Sequence, residues 1–229
     1  AHGDPSAKTR PWELDPLPVL ITREEWQGVS AALQQRARLL NHVLADLYGE
    51  QQLLQRGLLP PEILFEHPGF RRPLHGVRPP KDTYLHLYAA DLARAPSGKW
   101  WVLGDRTEAP SGAGFALENR IITSRMLPDT FQNCQVERLA PYFVALRETV
   151  ASLASQGRDN PRIALLSQGP ESPNYFEDAY LSRYLNYTLV EGDDLTVRNN
   201  RVMIKTLDGL LPVDVILRRP NSADCDPLE

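Results

Sequence analysis

Two aspartates frame the first candidate chemistry. Asp91 lies near the end of a β-rich run, Tyr84 to Leu92, and Asp105 follows a second run, Lys99 to Leu103. Ala95-Pro96-Ser97-Gly98 between them reads as a hairpin turn. Two carboxylates leaving neighbouring strands could share one hard cation. Magnesium takes oxygen ligands, keeps several waters, and neutralises phosphate oxygens during phosphoryl transfer. The competing reading is two ordinary solvated aspartates at strand ends.

Ser111-Gly112-Ala113-Gly114 runs straight into a helix expected from about 115 to 126. Small residues let backbone N–H groups approach an anion, and a helix N-terminus favours negative charge. No G-K-[ST] follows and the spacing is not G-x-G-x-x-G, so a simple turn stands beside the phosphate cradle. Glu118-Asn119-Arg120, early in that helix, could bind magnesium and phosphate or order the loop before them. Neighbours on a helix point about 100° apart, so all three cannot face one ligand squarely.

Arg218 and Arg219 end an apolar strand. Ligands gather at the carboxyl ends of strands in open α/β sheets, and Arg grips carboxylate or phosphate bidentately. The alternative is solvation at a sheet edge, which is also the reading for Lys205. His86, alternating with Leu85 and Leu87, would fall across the hairpin from Arg106 or Thr107 and reads as structural. No G-x-S-x-G is present to anchor a hydrolase.

The elements that must position these groups are legible from periodicity. Thr22, with Glu25 three residues on, forms a capping box. Trp26, Val29, Leu33, Leu40, Val43, Leu44 and Leu47 then recur at helical spacing up to Gly49. Residues 1–21 read as extended and 66–82 as a Pro-rich loop. A further helix is expected from about 138 to 155, with Leu139, Tyr142, Phe143, Leu146, Val150 and Leu153 on one face.

After Gly157 the pattern becomes β-α-β. Arg162–Leu166 is a strand, Phe176–Leu185 a helix and Thr188–Glu191 a strand, which favours a parallel pair. Leu195–Val197 and Val202–Lys205 flank Asn199-Asn200, a tight-turn pair. Val213–Leu217 is the last strand. The fold class is α/β, mixed with α+β character. Residues 1–80 form a helical segment with Pro-rich loops, 81–157 a hairpin with helices, and 158–229 a β-α-β unit plus hairpin.

Composition narrows the function. The net charge of −4 argues against a general nucleic-acid binder. Two distant cysteines, Cys134 and Cys225, argue against a disulfide framework and a structural zinc. No apolar run reaches the roughly 20 residues of a membrane span, and the default residence is cytoplasmic. Neither end of the chain looks like a native terminus, so a piece of a longer protein is expected.

Five stretches carry a resemblance: 41–64 (NHVLADLYGEQQLLQRGLLPPEIL), 85–94 (LHLYAADLAR), 101–120 (WVLGDRTEAPSGAGFALENR), 175–194 (YFEDAYLSRYLNYTLVEGDD) and 213–219 (VDVILRR). Together they resemble the circularly permuted ATP-grasp family, related in fold to glutathionylspermidine synthase. The resemblance implies ATP held between two α+β lobes. A carboxylate is activated there as an acyl phosphate, and an amine then attacks it.

On that basis Asp91 matches an aspartate used near magnesium. Gly104-Asp105-Arg106 matches a position where relatives carry Glu-x-Asn as metal ligands. Gly104 and Arg106 depart from that pattern, and Arg106 would set a fixed positive charge where a metal would sit. As a ligase, the chain would use Asp91, Asp105 and Glu118 for magnesium. Ser111, Gly112, Gly114, Asn119 and Arg120 would serve ATP, and Arg106, Arg218 and Arg219 the reacting groups. The lysine-bearing strands that hold the nucleotide would lie beyond Glu229, which makes the remainder of the native polypeptide a partner. The expected substrates are a small-molecule or peptide carboxylate and an amine, with no nucleic acid and no membrane. The alternative is a non-catalytic binding or scaffolding module on a degenerate ATP-grasp fold. A Rossmann-type dinucleotide binder in the second half lacks the glycine fingerprint.

Overall fold

A computed structural model describes residues 13–15, 17–154 and 160–225. Most of the expected extended N-terminal segment, the last residue of the helix expected to end at 155, Gly157 and the final four residues lie outside those ranges.

Helix α1 (Arg23–Leu47) begins where the capping signal places it. Thr22 is extended, and its Oγ1 accepts the Glu25 amide at 3.2 Å. Glu25 does not complete the box, because its carboxylate takes the Trp100 indole N–H at 2.8 Å and pairs with Arg94 at 3.0 Å. Asp46, in the last turn, accepts the amides of Gln52 and Leu53 and so starts helix α2 (Gln52–Gln55). Helix α3 (Pro61–Phe65) opens with proline, whose missing N–H costs nothing in a first turn.

The hairpin is displaced along the sequence from its expected place. Strand β1 is Ala89–Arg94, not Tyr84–Leu92, and β2 is Trp100–Arg106. The cause is local. Asn41 Oδ1 accepts the amides of both Tyr84 (2.8 Å) and Leu85 (3.0 Å), and these donors are lost to a strand ladder. His86 therefore precedes the hairpin and does not lie opposite Arg106, whose partner is Ala89.

Helices α4 (Ala113–Met126), α5 (Pro128–Asn133) and α6 (Ala140–Ala151) follow. Strand β3 (Ile163–Leu166), helix α7 (Tyr175–Leu185) and strand β4 (Thr188–Val190) form the expected parallel unit. Strands β5 (Leu195–Arg198), β6 (Arg201–Thr206) and β7 (Gly209–Pro212) make an antiparallel sheet, and β8 (Val215–Arg218) returns to pair parallel with β3. Asn199 and Asn200 both take positive φ, 51° and 60°, the backbone that a two-residue hairpin turn demands.

Strand β3 is central in the order β4-β3-β8 and is covered on both faces. Ile163 and Leu165 point to a core with Leu117, Phe143, Leu146, Val150, Leu181 and Leu185 from α4, α6 and α7. Ala164 points the other way, to Val190 and Ile204. Alternation along one buried strand thus joins three layers: helices, parallel sheet and antiparallel sheet. The main core runs from Leu117 to Tyr187, so residues from both sides of position 157 share it.

Candidate functional site

The register of the hairpin decides the fate of the two aspartates. Asp91 stands opposite Gly104, and Asp105 stands opposite Ala90. Directly opposed residues share a face and successive residues alternate, so the two carboxylates leave opposite faces. They cannot share a cation in this arrangement. Each is instead held by its own arginine.

Asp105 receives a bidentate grip from Arg36 on α1, with Nε and Nη2 donating at 2.6 Å each, and the Tyr88 hydroxyl donates at 2.6 Å. The Arg36 bonds and then the Tyr88 bond hold the Asp105 carboxyl down at about 2. Burial, then the bond to Asp105, pushes the Tyr88 phenol up to about 12. Asp91, on the other face, pairs with Arg106 at 2.9 Å, and both side chains are at least half exposed. Among the described residues, no group of three or more His, Cys, Asp or Glu stands ready to hold one metal ion. The expected magnesium set of Asp91, Asp105 and Glu118 therefore does not fit a single ion here.

The glycine-rich turn does bind an anion, but an internal one. Gly112, with φ +117°, lies just ahead of α4. Its amide donates to the Glu177 carboxylate at 2.8 and 3.0 Å, and the Gly114 amide donates to Glu177 Oε1 at 2.8 Å. The N-terminus of α4 is thereby capped across 65 residues of sequence. Ser111 is exposed beside this cap.

Arg219 closes the same cluster. Its Nη2 donates to Glu177 (2.9 Å), its Nε to Asp178 (2.8 Å) and its Nη1 to the Pro110 carbonyl (2.7 Å). Ser167 Oγ donates to Asp178 Oδ2 at 2.8 Å. The Arg219, Glu177 and Asp178 side chains are 6%, 0% and 2% exposed, so this is a buried network. Two carboxylates face one guanidinium, and the α4 amides meet the remaining negative charge. The Arg219 amide also donates to Leu166 O at 3.0 Å, which seats the residue at the carboxyl end of the parallel sheet.

Arg218, on the neighbouring position, turns outward to Glu108 at 3.1 Å and to Ser222 Oγ at 3.2 Å. Ser222 also donates through its backbone amide and its hydroxyl to Glu108. The Ser222 hydroxyl bond is the largest influence holding the Glu108 carboxyl below its usual range. The Glu118-Asn119-Arg120 triplet diverges as helix geometry requires. Glu118 lies by the Tyr180 phenol, whose pKa burial and then this carboxylate raise. Arg120 lies over the Phe131 ring and donates to Glu137 O.

The loop after β2, the start of α7 and the end of β8, which carry three of the five resembling stretches, meet in one polar junction. Residues 18–229 match the sequence model of a family described as circularly permuted ATP-grasp type 2. The chain belongs to that family. An uncharacterised protein of Mycobacterium bovis is 40% identical over 227 residues, covering 99% of this chain and 26% of its own length. An uncharacterised protein of Synechocystis is 34% identical over 226 residues, covering 99% of this chain and 47% of its own. One from Mycobacterium leprae is 34% identical over 224 residues, covering 98% and 40%. The chain thus spans between about a quarter and a half of these relatives.

In this ATP-grasp chain, sequence reasoning missed Glu177, Asp178, Ser167, Glu108 and Ser222. One signal for Glu177 was present. It lies four and eight residues before Leu181 and Leu185, in line with the buried stripe of α7.

Proposed function

We propose that this chain is the scaffold and anion-facing part of an ATP-dependent ligase. That ligase joins a carboxylate to an amine through an acyl phosphate. The family match over residues 18–229 carries the reading. Arg106 is the residue of this chain best suited to an anionic substrate. Its guanidinium lies on the exposed face of the hairpin, paired with the exposed carboxylate of Asp91. Exposed ion pairs exchange easily with competing anions, and a guanidinium matches two phosphate oxygens. Arg218, with a half-exposed partner in Glu108, is a second anion contact. Arg219, Gly112 and Gly114 are positioning groups in this reading, because their donors are occupied by Glu177, Asp178 and Pro110. In this reading Arg106 contributes to the phosphate site, and the other ATP and magnesium contacts come from the rest of a longer polypeptide such as the relatives carry.

A second reading has an observation in its favour. Every carboxylate expected to bind metal has a partner within the chain, as in a scaffold that does no chemistry. Calorimetric titration of Mg·ATP into the full-length natural polypeptide separates the two. Binding in the micromolar range supports the ligase. No binding at millimolar nucleotide supports the scaffold.

A further inference from the structure

Six aromatic rings form a continuous ladder on the helical layer. Phe115 stacks on Phe176 with centroids 5.3 Å apart, Phe176 on Tyr180 at 5.9 Å, and Tyr180 on Tyr184 at 6.4 Å with planes 5° apart. Tyr184 meets Phe143 edge-on at 5.1 Å, and Phe143 meets Tyr142 in the same way. Residues 176, 180 and 184 lie four apart, so α7 presents them as one stripe beside its buried face. Its α7 rungs form a surface row, whereas Phe143 is 3% exposed and ties that row to the core. Phe176 is 51% exposed, Tyr184 48% and Tyr142 51%.

Exposed aromatic rings in a contiguous row mark a surface meant to be covered. We infer that the ladder is a docking surface for the part of the polypeptide that the family's longer members carry outside the shared region. It would be covered in cis, as a permanent contact.

The total surface supports a permanent occupant. The chain exposes 16931 Å², whereas a compact monomer of 25.8 kDa exposes about 10,500 Å². The 22 residues outside the described ranges, even counted as fully extended chain, account for about 3,600 Å² of the difference. An excess of about 2,800 Å² remains over the whole chain. A standard complex covers roughly 800 Å² per partner, so this excess is far more than one transient partner covers. The relatives supply the occupant's class. Each aligns with 98–99% of this chain, and each has more than half of its own length elsewhere. The ring faces suit an apolar segment of that chain, and the Tyr142 and Tyr184 hydroxyls suit backbone carbonyls at its margin, Tyr180 being engaged by Glu118.

The test uses the full-length natural polypeptide with p-benzoylphenylalanine in place of Tyr184. Irradiation should cross-link position 184 within the same molecule, to a peptide outside residues 1–229. In the unmodified polypeptide, Tyr142 and Tyr184 should be nitrated at least tenfold more slowly in the native state than in urea. A cross-link to a second copy, or none to any peptide outside residues 1–229, would overturn the inference. So would native nitration within about threefold of the unfolded rate. Neither readout depends on Mg·ATP binding, so this inference and the ligase reading fail separately.

Discussion

Gly114 gives its amide to Glu177 at 2.8 Å, and a Cβ built on Gly114 would lie 2.8 Å from Glu177 Cγ. The same contact therefore explains both the need for an amide and the need for glycine. The neighbour is a wholly buried side chain fixed by Arg219, so it has little room to move aside.

Substitution Gly114→Ala should accordingly destabilise the protein by about 1–3 kcal/mol, the usual cost of overpacking. It should do so although alanine is the better helix former by up to about 1 kcal/mol. Urea unfolding measures this as a lower midpoint at unchanged slope. A midpoint at or above the wild type would show that the α4 cap is loose.

Removing Arg219 leaves two buried carboxylates facing one another across a vacated site. Arg219→Met should cost about 3–5 kcal/mol, as for other broken buried pairs. Arg219→Lys should recover only part of it. Lysine cannot reach Glu177, Asp178 and the Pro110 carbonyl from one planar fork. The triple substitution of Arg219, Glu177 and Asp178 to apolar residues of similar size should be milder than Arg219→Met alone. Equilibrium unfolding of the three variants gives the comparison.

Asp105 predicts a narrow acid dependence. Its folded pKa, about 2, lies below its ordinary value of 3.8. A depressed carboxylate contributes stability that is present above its unfolded pKa and is lost as pH falls through the folded one. The Arg36 and Tyr88 contribution should therefore fade between about pH 4 and pH 2. Arg36 is 46% exposed, so solvent and salt screening keep the stability effect small. Carboxyl-carbon NMR titration reads the site directly. The Asp105 resonance should titrate at least one unit below the exposed aspartates, and Arg36→Gln should raise it toward the ordinary range, the Tyr88 bond keeping part of the depression.

Much of the fold was legible because local signals and tertiary demands agree there. Thr22 caps α1, Asn199-Asn200 turns β5 into β6, and the β-α-β period yields a parallel pair. Strand β7 was missed although Asp208-Gly209 is a turn signal, because Gly209–Pro212 has little strand character of its own and forms by pairing with β6. The site was less legible. Proximity of Asp91 and Asp105 in a hairpin was readable, but which face each takes depends on a register that no single strand reveals. Arg219 and the glycine turn were recognised as anion-binding groups. Their anion proved to be Glu177, supplied from α7 across 42 and 63–65 residues of sequence.

In the proposed ligase the Arg106 face of the hairpin meets the anionic substrate, while the Arg36 face only holds the fold. Mg·ATP affinity of full-length Arg106→Gln, set against full-length Arg36→Gln, tests this most directly. Binding should weaken at least tenfold in Arg106→Gln and change less than twofold in folded Arg36→Gln. Equal affinity in both variants and in the parent would contradict this and move the anion site off this hairpin.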